Sequence, residues 1–361
     1  MITEFTVENF RLFKHLHLSD LSRVNLIVGK NSVGKSAILE ALRFYFSKGD
    51  SSTLSEALEN RQEFLPSSGG IDGFGKHPFR HFFIDRCIPE FGEDGIKFKS
   101  DNDEFDIVPL LYVEKNDGQL KVIEAAQSDK YSPDKLKPYI VIKNHSNEFQ
   151  PLLSLANSLD DKKQLVFVRL NTLKTKTYYY IPTNGISDQQ AATYWDSINL
   201  TSAEDDVIEG LKMINANVSK IALFDAGNNH RVPFVKLTNE SQPVPLKSLG
   251  DGMTRIFQII LSLVCSKGGV LMVDEFETGL HWSVQQQAWN TVFKLAEKLN
   301  VQVFCTTHSK DCVESFNQVW SENPDLGSFY RIYRDKKQQI KTQVYDHQLL
   351  AASMDIDAEV R

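Results

Sequence analysis

Residues 24–46 read VNLIVGKNSVGKSAILEALRFYF: an apolar run, a turn with two glycines, then Ile38, Leu39, Leu42, Tyr45 and Phe46 at helical spacing. Inside it, Gly29-Lys30-Asn31-Ser32-Val33-Gly34-Lys35-Ser36 fits G-x-x-x-x-G-K-[S/T] at every fixed position, with the strand before and the helix after that the motif requires. Successive backbone N–H groups around Asn31 to Lys35 converge on one concavity, and the helix starting near Lys35 adds its positive dipole end. Gly29 and Gly34 let the main chain turn and approach phosphate without a Cβ in the way. Lys35 would reach the β- and γ-phosphates and the Ser36 hydroxyl would ligate Mg²⁺. The expected nucleotide-binding set is therefore Gly29, Asn31, Ser32, Val33, Gly34, Lys35, Ser36 and the adjoining Ala37. A plain glycine-bearing turn is the alternative, and the complete match in the right context argues against it.

A phosphate loop needs a second, acidic strand to hold the metal and position water. GGVLMVDEFETGLH, residues 268–281, ends an apolar strand in Asp274-Glu275. Asp274 suits a Mg²⁺ contact and Glu275 a general base toward the attacking water. VFCTTHS, residues 303–309, is another apolar strand, ending at His308, where a γ-phosphate sensor is expected. His281 divides between a site role and capping of the helix that begins at Trp282.

The surrounding chain has 361 residues, of which 41% are hydrophobic and 24% charged, enough for one large core or two modest ones. A net charge of −7 excludes a generally basic nucleic-acid footprint, though not a local patch. Cys87, Cys265, Cys305 and Cys312 form no Cys-x-x-Cys pair, so reduced thiols are expected rather than zinc or disulfides. Met1-Ile2-Thr3-Glu4 opens no leader peptide, and the longest apolar run, Ile256 to Cys265, is about half of what a bilayer requires. A soluble, cytoplasmic protein without membrane contact is expected.

Residues 1–28 read as three strands, and residues 47–75 as a loop with a short helix. From Phe79 to Tyr180, the runs GIKFKS, FDIVPLLYVEK, QLKVIEAA, PYIVIKN and QLVFVRL predict an antiparallel sheet with hairpins. The period then turns helical, with Ser202 as an N-cap ahead of Glu204 and Asp205. SKIALFD and RVPFVKL are strands, and after a glycine turn at 250–252 an apolar helix runs to Cys265. Strand 268–275, helix 282–299, strand 301–309 and helix 310–316 alternate as parallel α/β. The expected layout is an N-terminal ATPase lobe over 1–185 with phosphate loop and antiparallel β insertion, a helical lobe over 186–220, and a C-terminal ATPase lobe over 221–361.

FTVENFRLFKHLHL, the phosphate loop, PLKSLGDGMTRIF, VLMVDEFETGLH and QVFCTTHSKDCVESF, in that order, resemble the ABC-type ATPase heads of the SMC and OLD (overcoming lysogenization defect) group, above all the stand-alone AAA-15/AAA-21-like ATPases of bacteria. The likeness covers roughly residues 1–47 and 177–361. It implies an α/β P-loop NTPase of ABC/SMC-head type, with a mixed central sheet, an antiparallel β subdomain and a helical lobe. It also implies a homodimer or higher homo-oligomer whose heads sandwich ATP. Ser248, Gly250 and Gly252 would then meet the partner's γ-phosphate, and Arg11 would touch nucleotide. The transporter-type Leu-Ser-Gly-Gly-Gln is absent, and Gly250 stands where its serine would align. Gln189 or Gln190 would supply the glutamine-loop metal contact.

The chain ends 53 residues after His308, too soon for the TOPRIM nuclease domain of OLD proteins, and 48–175 shows no heptads for an SMC coiled coil. The leading expectation is a Mg²⁺-dependent ATPase that gates a separate effector, a nuclease or other toxin, in phage defence or DNA maintenance and repair. The alternative is a nucleotide-controlled clamp on DNA, with Arg169, Lys174 and Lys176 of VRLNTLKTKTYYY meeting the backbone; a solvated basic strand face is the plainer account of those residues. A transporter subunit and a self-contained nuclease both fit the motifs poorly.

Overall fold

Alternating apolar residues open the chain with a hairpin, β1 (Phe5–Phe10) and β2 (Phe13–Leu18), burying Phe5, Val7, Phe10, Leu16 and Leu18. Strand β3 (Val24–Val28) is buried at every position and runs into helix α1 (Lys35–Ser47) through the glycine loop. Helix α2 (Ser51–Asn60) starts at Asp50, whose carboxylate accepts from Ser52 N. Five strands follow: β4 (Ile96–Ser100), β5 (Glu104–Glu114), β6 (Leu120–Ile123), β7 (Leu136–Asn144) and β8 (Phe149–Ser154). Next come β9 (Tyr178–Ile181), α3 (Asp188–Ile198), α4 (Ser202–Ile214), β10 (Val218–Asp225), β11 (Arg231–Leu237), β12 (Val244–Pro245) and α5 (Asp251–Cys265). The chain continues through β13 (Val270–Val273), α6 (Trp282–Lys298), β14 (Gln302–Thr307), α7 (Lys310–Glu322), β15 (Gly327–Arg334), β16 (Ile340–Tyr345) and α8 (His347–Asp355). The computed structural model describes residues 1–63, 77–101, 103–114, 120–144, 148–155, 175–227 and 231–355.

The chain divides into two units, one of Met1, 20–39 and 176–361, the other of 2–19 and 40–175. The first is built on a six-stranded sheet in the order β16-β15-β3-β14-β13-β9. Neighbours from β15 to β9 are parallel, and β16 closes one edge antiparallel to β15. Strands β3, β13 and β14 are buried throughout, which is why they read as unbroken apolar runs rather than alternating ones. Helices α5, α6 and α7 pack Phe257, Trp289 and Phe316 into the core of this unit. A three-stranded antiparallel sheet, β10-β11-β12, belongs to the same unit.

The second unit is a seven-stranded antiparallel sheet, β2-β1-β4-β5-β7-β8 with β6 paired to β5. Its interior is aromatic: Phe10 packs edge-on against Phe44 and stacks with Phe82, while Phe98 stacks on Phe105. The α/β class with mixed central sheet and antiparallel β subdomain is therefore as expected.

Several expectations change. Tyr178–Ile181 was assigned to the antiparallel set; instead it pairs parallel with β13, Tyr178 opposite Val270. Four residues are too few for period to distinguish the two. The N-cap of α4 is Thr201, not Ser202: Thr201 Oγ1 accepts from Ala203 N at 3.2 Å, because Leu200 at φ 61° turns the chain one residue earlier. Strands β15 and β16 lie beyond the last element that the sequence pattern predicts. The run QLVFVRL, and with it Arg169 and Lys174, lies outside the described residues.

Candidate functional site

The loop after β3 owes its shape to two positive backbone angles, Ser32 at φ 62° and Gly34 at φ 109°. Gly29 is required for a different reason. A Cβ there would fall 2.5 Å from the Ile332 carbonyl oxygen of β15 and 2.8 Å from Val33 Cγ1. Lys35 is buried, and its Nζ donates to the carbonyls of Gly29 at 2.7 Å and Lys30 at 3.3 Å. Burial lowers the pKa of Lys35, and the charges of Glu275, Asp274 and Glu277 oppose that shift. The three carboxylates thus act on the ammonium at the mouth of the loop.

Strand β13 delivers those carboxylates into a turn that β9, β14 and α5 hold from three directions. Asp274 N donates to Ile181 O at 2.9 Å. Thr306 Oγ1 donates to Asp274 Oδ1 at 2.5 Å and accepts from Glu275 N at 2.9 Å. Arg255, buried on α5, donates from Nη2 to the carbonyls of Asp274 at 2.8 Å and Glu275 at 3.0 Å, and from Nη1 to Pro182 O at 3.0 Å. These bonds hold Glu275 at φ 49°, a left-handed conformation that costs a non-glycine residue about 1 kcal/mol or more. Phe276 completes the fixture, stacking on Trp289 with ring centroids 3.8 Å apart.

His308, just past β14, comes to this turn. Its Nδ1 lies 3.2 Å from Glu277 Oε1 and 3.6 Å from Glu275 Oε1, and its backbone N donates to Glu277 Oε1 at 3.1 Å. Glu277 is nearly buried, and its Oε2 has no hydrogen-bond partner among the described residues. Lys35, Asp274, Glu275 and His308 are therefore brought together by one unit.

Other expected residues lie elsewhere or do something else. Gly250, at φ 101°, precedes α5 as its N-cap; Ser248 is exposed and its Oγ donates to Pro245 O at 2.6 Å. A Cβ on Gly252 would stand 3.0 Å from Gly279 O, so this segment packs beside the tail of the acidic turn. His281 caps α6, its Nδ1 accepting from Ser283 N at 3.4 Å. Gln190 is engaged in the capping box of α3, and Gln189 follows Asp188 in its first turn. Arg11 belongs to the second unit. Its Nε bonds Glu40 at 3.0 Å, its Nη1 bonds Glu63 at 2.6 Å and His81 O at 3.1 Å, and the guanidinium lies over the Phe82 ring. Its Nη2 is buried and has no hydrogen-bond partner among the described residues.

Three residues of the site escaped the sequence reading: Thr306, Arg255 and Glu277. Arg255 left a signal, as the only charged residue between Met253 and Cys265 of an otherwise apolar helix.

A family model described as "AAA domain, putative AbiEii toxin, Type IV TA system" matches residues 24–311. The chain belongs to this family. Together with the loop and acidic turn, membership makes this AAA-domain protein a nucleotide-binding P-loop ATPase. A protein of Helicobacter pylori named ATP/GTP phosphatase is 26% identical over 351 residues, covering 89% of each chain. The structural maintenance of chromosomes protein 6 of Dictyostelium discoideum is 27% identical over 193 residues, 43% of this chain and 16% of that protein. Among solved structures, an SMC head bound to the C-winged helix domain of ScpA aligns at TM-score 0.49 and 10% identity, over 98% of this chain and 99% of that one. No helix among the described residues is long and apolar enough to cross a membrane.

Proposed function

We propose that this AAA-domain protein hydrolyses ATP with Mg²⁺ at a site completed by a second copy of itself, and that the cycle gates a separate effector. The observation that carries the reading is the convergence of Lys35 with Asp274, Glu275 and His308 at one end of the parallel sheet. The ATP/GTP phosphatase from H. pylori, alike over nearly its whole length, supports nucleoside triphosphate hydrolysis.

The residues fit a magnesium ion. Thr306 occupies Asp274 Oδ1, which leaves Oδ2 and the Ser36 hydroxyl as hard oxygen donors. Magnesium takes one or two protein oxygens and the remainder from phosphate and water. When bound, it would draw charge off the phosphate oxygens. Lys35 would exchange its contacts to the Gly29 and Lys30 carbonyls for the β- and γ-phosphates. Glu275 would take the proton of a water whose oxygen attacks the γ-phosphorus as the bond to the bridging oxygen breaks, releasing ADP and inorganic phosphate. His308 would contact the γ-phosphate.

Ser248 and Gly250 are exposed at the head of α5, where a partner's nucleotide could reach them; with Gly252 they are the proposed trans contact of a dimer or higher assembly. The effector we propose is a nuclease or other toxin, in phage defence or DNA maintenance; the family's description itself names a putative toxin of a Type IV TA system.

The test is ATP turnover per chain against protein concentration, for wild type and Glu275→Gln. Turnover per chain should rise with concentration until the dimer saturates, and Glu275→Gln should lower it by about a hundredfold or more. A rate independent of concentration across the monomer–dimer transition would remove Ser248, Gly250 and Gly252 from the site.

A further inference from the structure

Glu277 carries a contact that the proposed chemistry does not use. It is a nearly buried carboxylate, two residues beyond the proposed base, and it holds two separate groups of His308. Oε1 accepts from the His308 backbone N at 3.1 Å and stands 3.2 Å from the ring Nδ1. Glu275 Oε1 is farther from the same nitrogen, at 3.6 Å. A carboxylate can only accept, so the Nδ1 that faces it carries a hydrogen. That fixes the ring in either the Nδ1–H tautomer or the imidazolium form.

We infer that Glu277 is the positioning residue for His308: it tethers the loop after β14 through the backbone and sets the ring's orientation and tautomer through Nδ1. Glu275 is thereby relieved of holding the imidazole and remains the acid-turn carboxylate for proton transfer. Glu277 Oε2 has no hydrogen-bond partner among the described residues. Its burial is compensated at Oε1, on the histidine side. The inference rests on the proposed role of His308 for its effect on turnover, but the ring geometry stands apart from that role.

The experiment compares wild type, Glu277→Gln and Glu277→Ala in the full chain, with two readouts. The first is nitrogen NMR of ¹⁵N-labelled histidine without nucleotide, His308 being assigned by its disappearance in His308→Asn. Wild type should show Nδ1 protonated. Glu277→Ala should return the ring to the Nε2–H tautomer preferred by free imidazole, and Glu277→Gln, which keeps an acceptor oxygen, should restore part of the wild-type signal. The second readout is steady-state turnover. The kcat should fall about ten- to a hundredfold in Glu277→Ala, as when an outer-shell partner of a functional histidine is lost, with KM for ATP within about twofold, and Glu277→Gln should recover part of the loss.

If the His308 signals of Glu277→Ala match wild type, the inference is wrong, whatever happens to turnover. A fall in kcat matched by an equal loss of nucleotide affinity and thermal stability, without rescue by Gln, would also overturn it. Absent ATP turnover in wild type would count against the proposed function, and the NMR comparison would then decide the role of Glu277 alone.

Discussion

Thr306 shows how much of the site depends on a single hydroxyl. It is fully buried on β14, donates to Asp274 Oδ1 and accepts from Glu275 N, and so serves the proposed metal contact and the proposed base at once. Thr306→Val keeps the shape and removes the oxygen, leaving a buried carboxylate oxygen and a backbone N–H without partners. Each unsatisfied group costs about 1–3 kcal/mol. The variant should therefore lose about 2 kcal/mol or more in urea unfolding, and its turnover should fall because Asp274 is no longer oriented. Thr306→Ser should retain most of both. Unchanged stability in Thr306→Val would mean that the two groups find other partners. Gly29 illustrates the opposite kind of dependence: its constraint is the lack of a side chain, imposed by the β15 backbone 2.5 Å from where a Cβ would lie.

Among the elements, α5 has two ends of consequence. Its first residues carry the proposed trans contact at Gly250 and Gly252, and Arg255, one turn on, grips the carbonyls of Asp274, Glu275 and Pro182. The buried guanidinium is balanced by three carbonyl oxygens rather than a bonded carboxylate. Arg255→Met should strand those carbonyls and cost about 3 kcal/mol or more in chemical denaturation. Arg255→Lys should recover only part, because an ammonium cannot reproduce the planar fork. A Met variant as stable as wild type would show that the turn is held by β9 and β14 alone. The elements also show what the sequence could disclose. The phosphate loop was legible because its constraints are local: two glycines, a lysine and a serine within eight residues, between an apolar strand and an amphipathic helix. Strands β13 and β14 were legible because burial on both faces makes them continuously apolar. Strand β9 was not, since four residues with three tyrosines carry no period and its partner lies about ninety residues away. Thr306, Arg255 and Glu277 were hidden for the same reason: each acts on groups about twenty to thirty residues distant, and nothing in their own neighbourhood points to that contact.

At the scale of the molecule, the candidate site falls within one of the two units. The loop, acidic turn and His308 all lie in the unit of the parallel sheet, whereas the second unit buries an aromatic core and the Arg11–Glu40–Glu63 cluster. The second unit should also be the more acid-sensitive, through His77. This histidine is 1% exposed, its Nδ1 accepts from Phe79 N at 3.0 Å, and its Nε2 has no partner among the described residues. Burial pushes its pKa down to about 4, from 6.5 in the unfolded chain. Between those values the unfolded chain binds a proton that the folded chain refuses, so stability falls as pH falls. The slope reaches about 1.4 kcal/mol per pH unit and the total about 3 kcal/mol at pH 4. Well above pH 6.5 His77 is neutral in both states and contributes no slope. His77→Asn keeps an acceptor for Phe79 N but cannot be protonated in this range. Urea unfolding at pH 7 and pH 4.5 should give wild type a larger loss between the two than His77→Asn, by about 2–3 kcal/mol. The variant starts from a lower stability at pH 7 because it fills less of the site, so the difference between the two pH values is the quantity that decides. An equal loss in both proteins would show that the acid sensitivity does not come from His77.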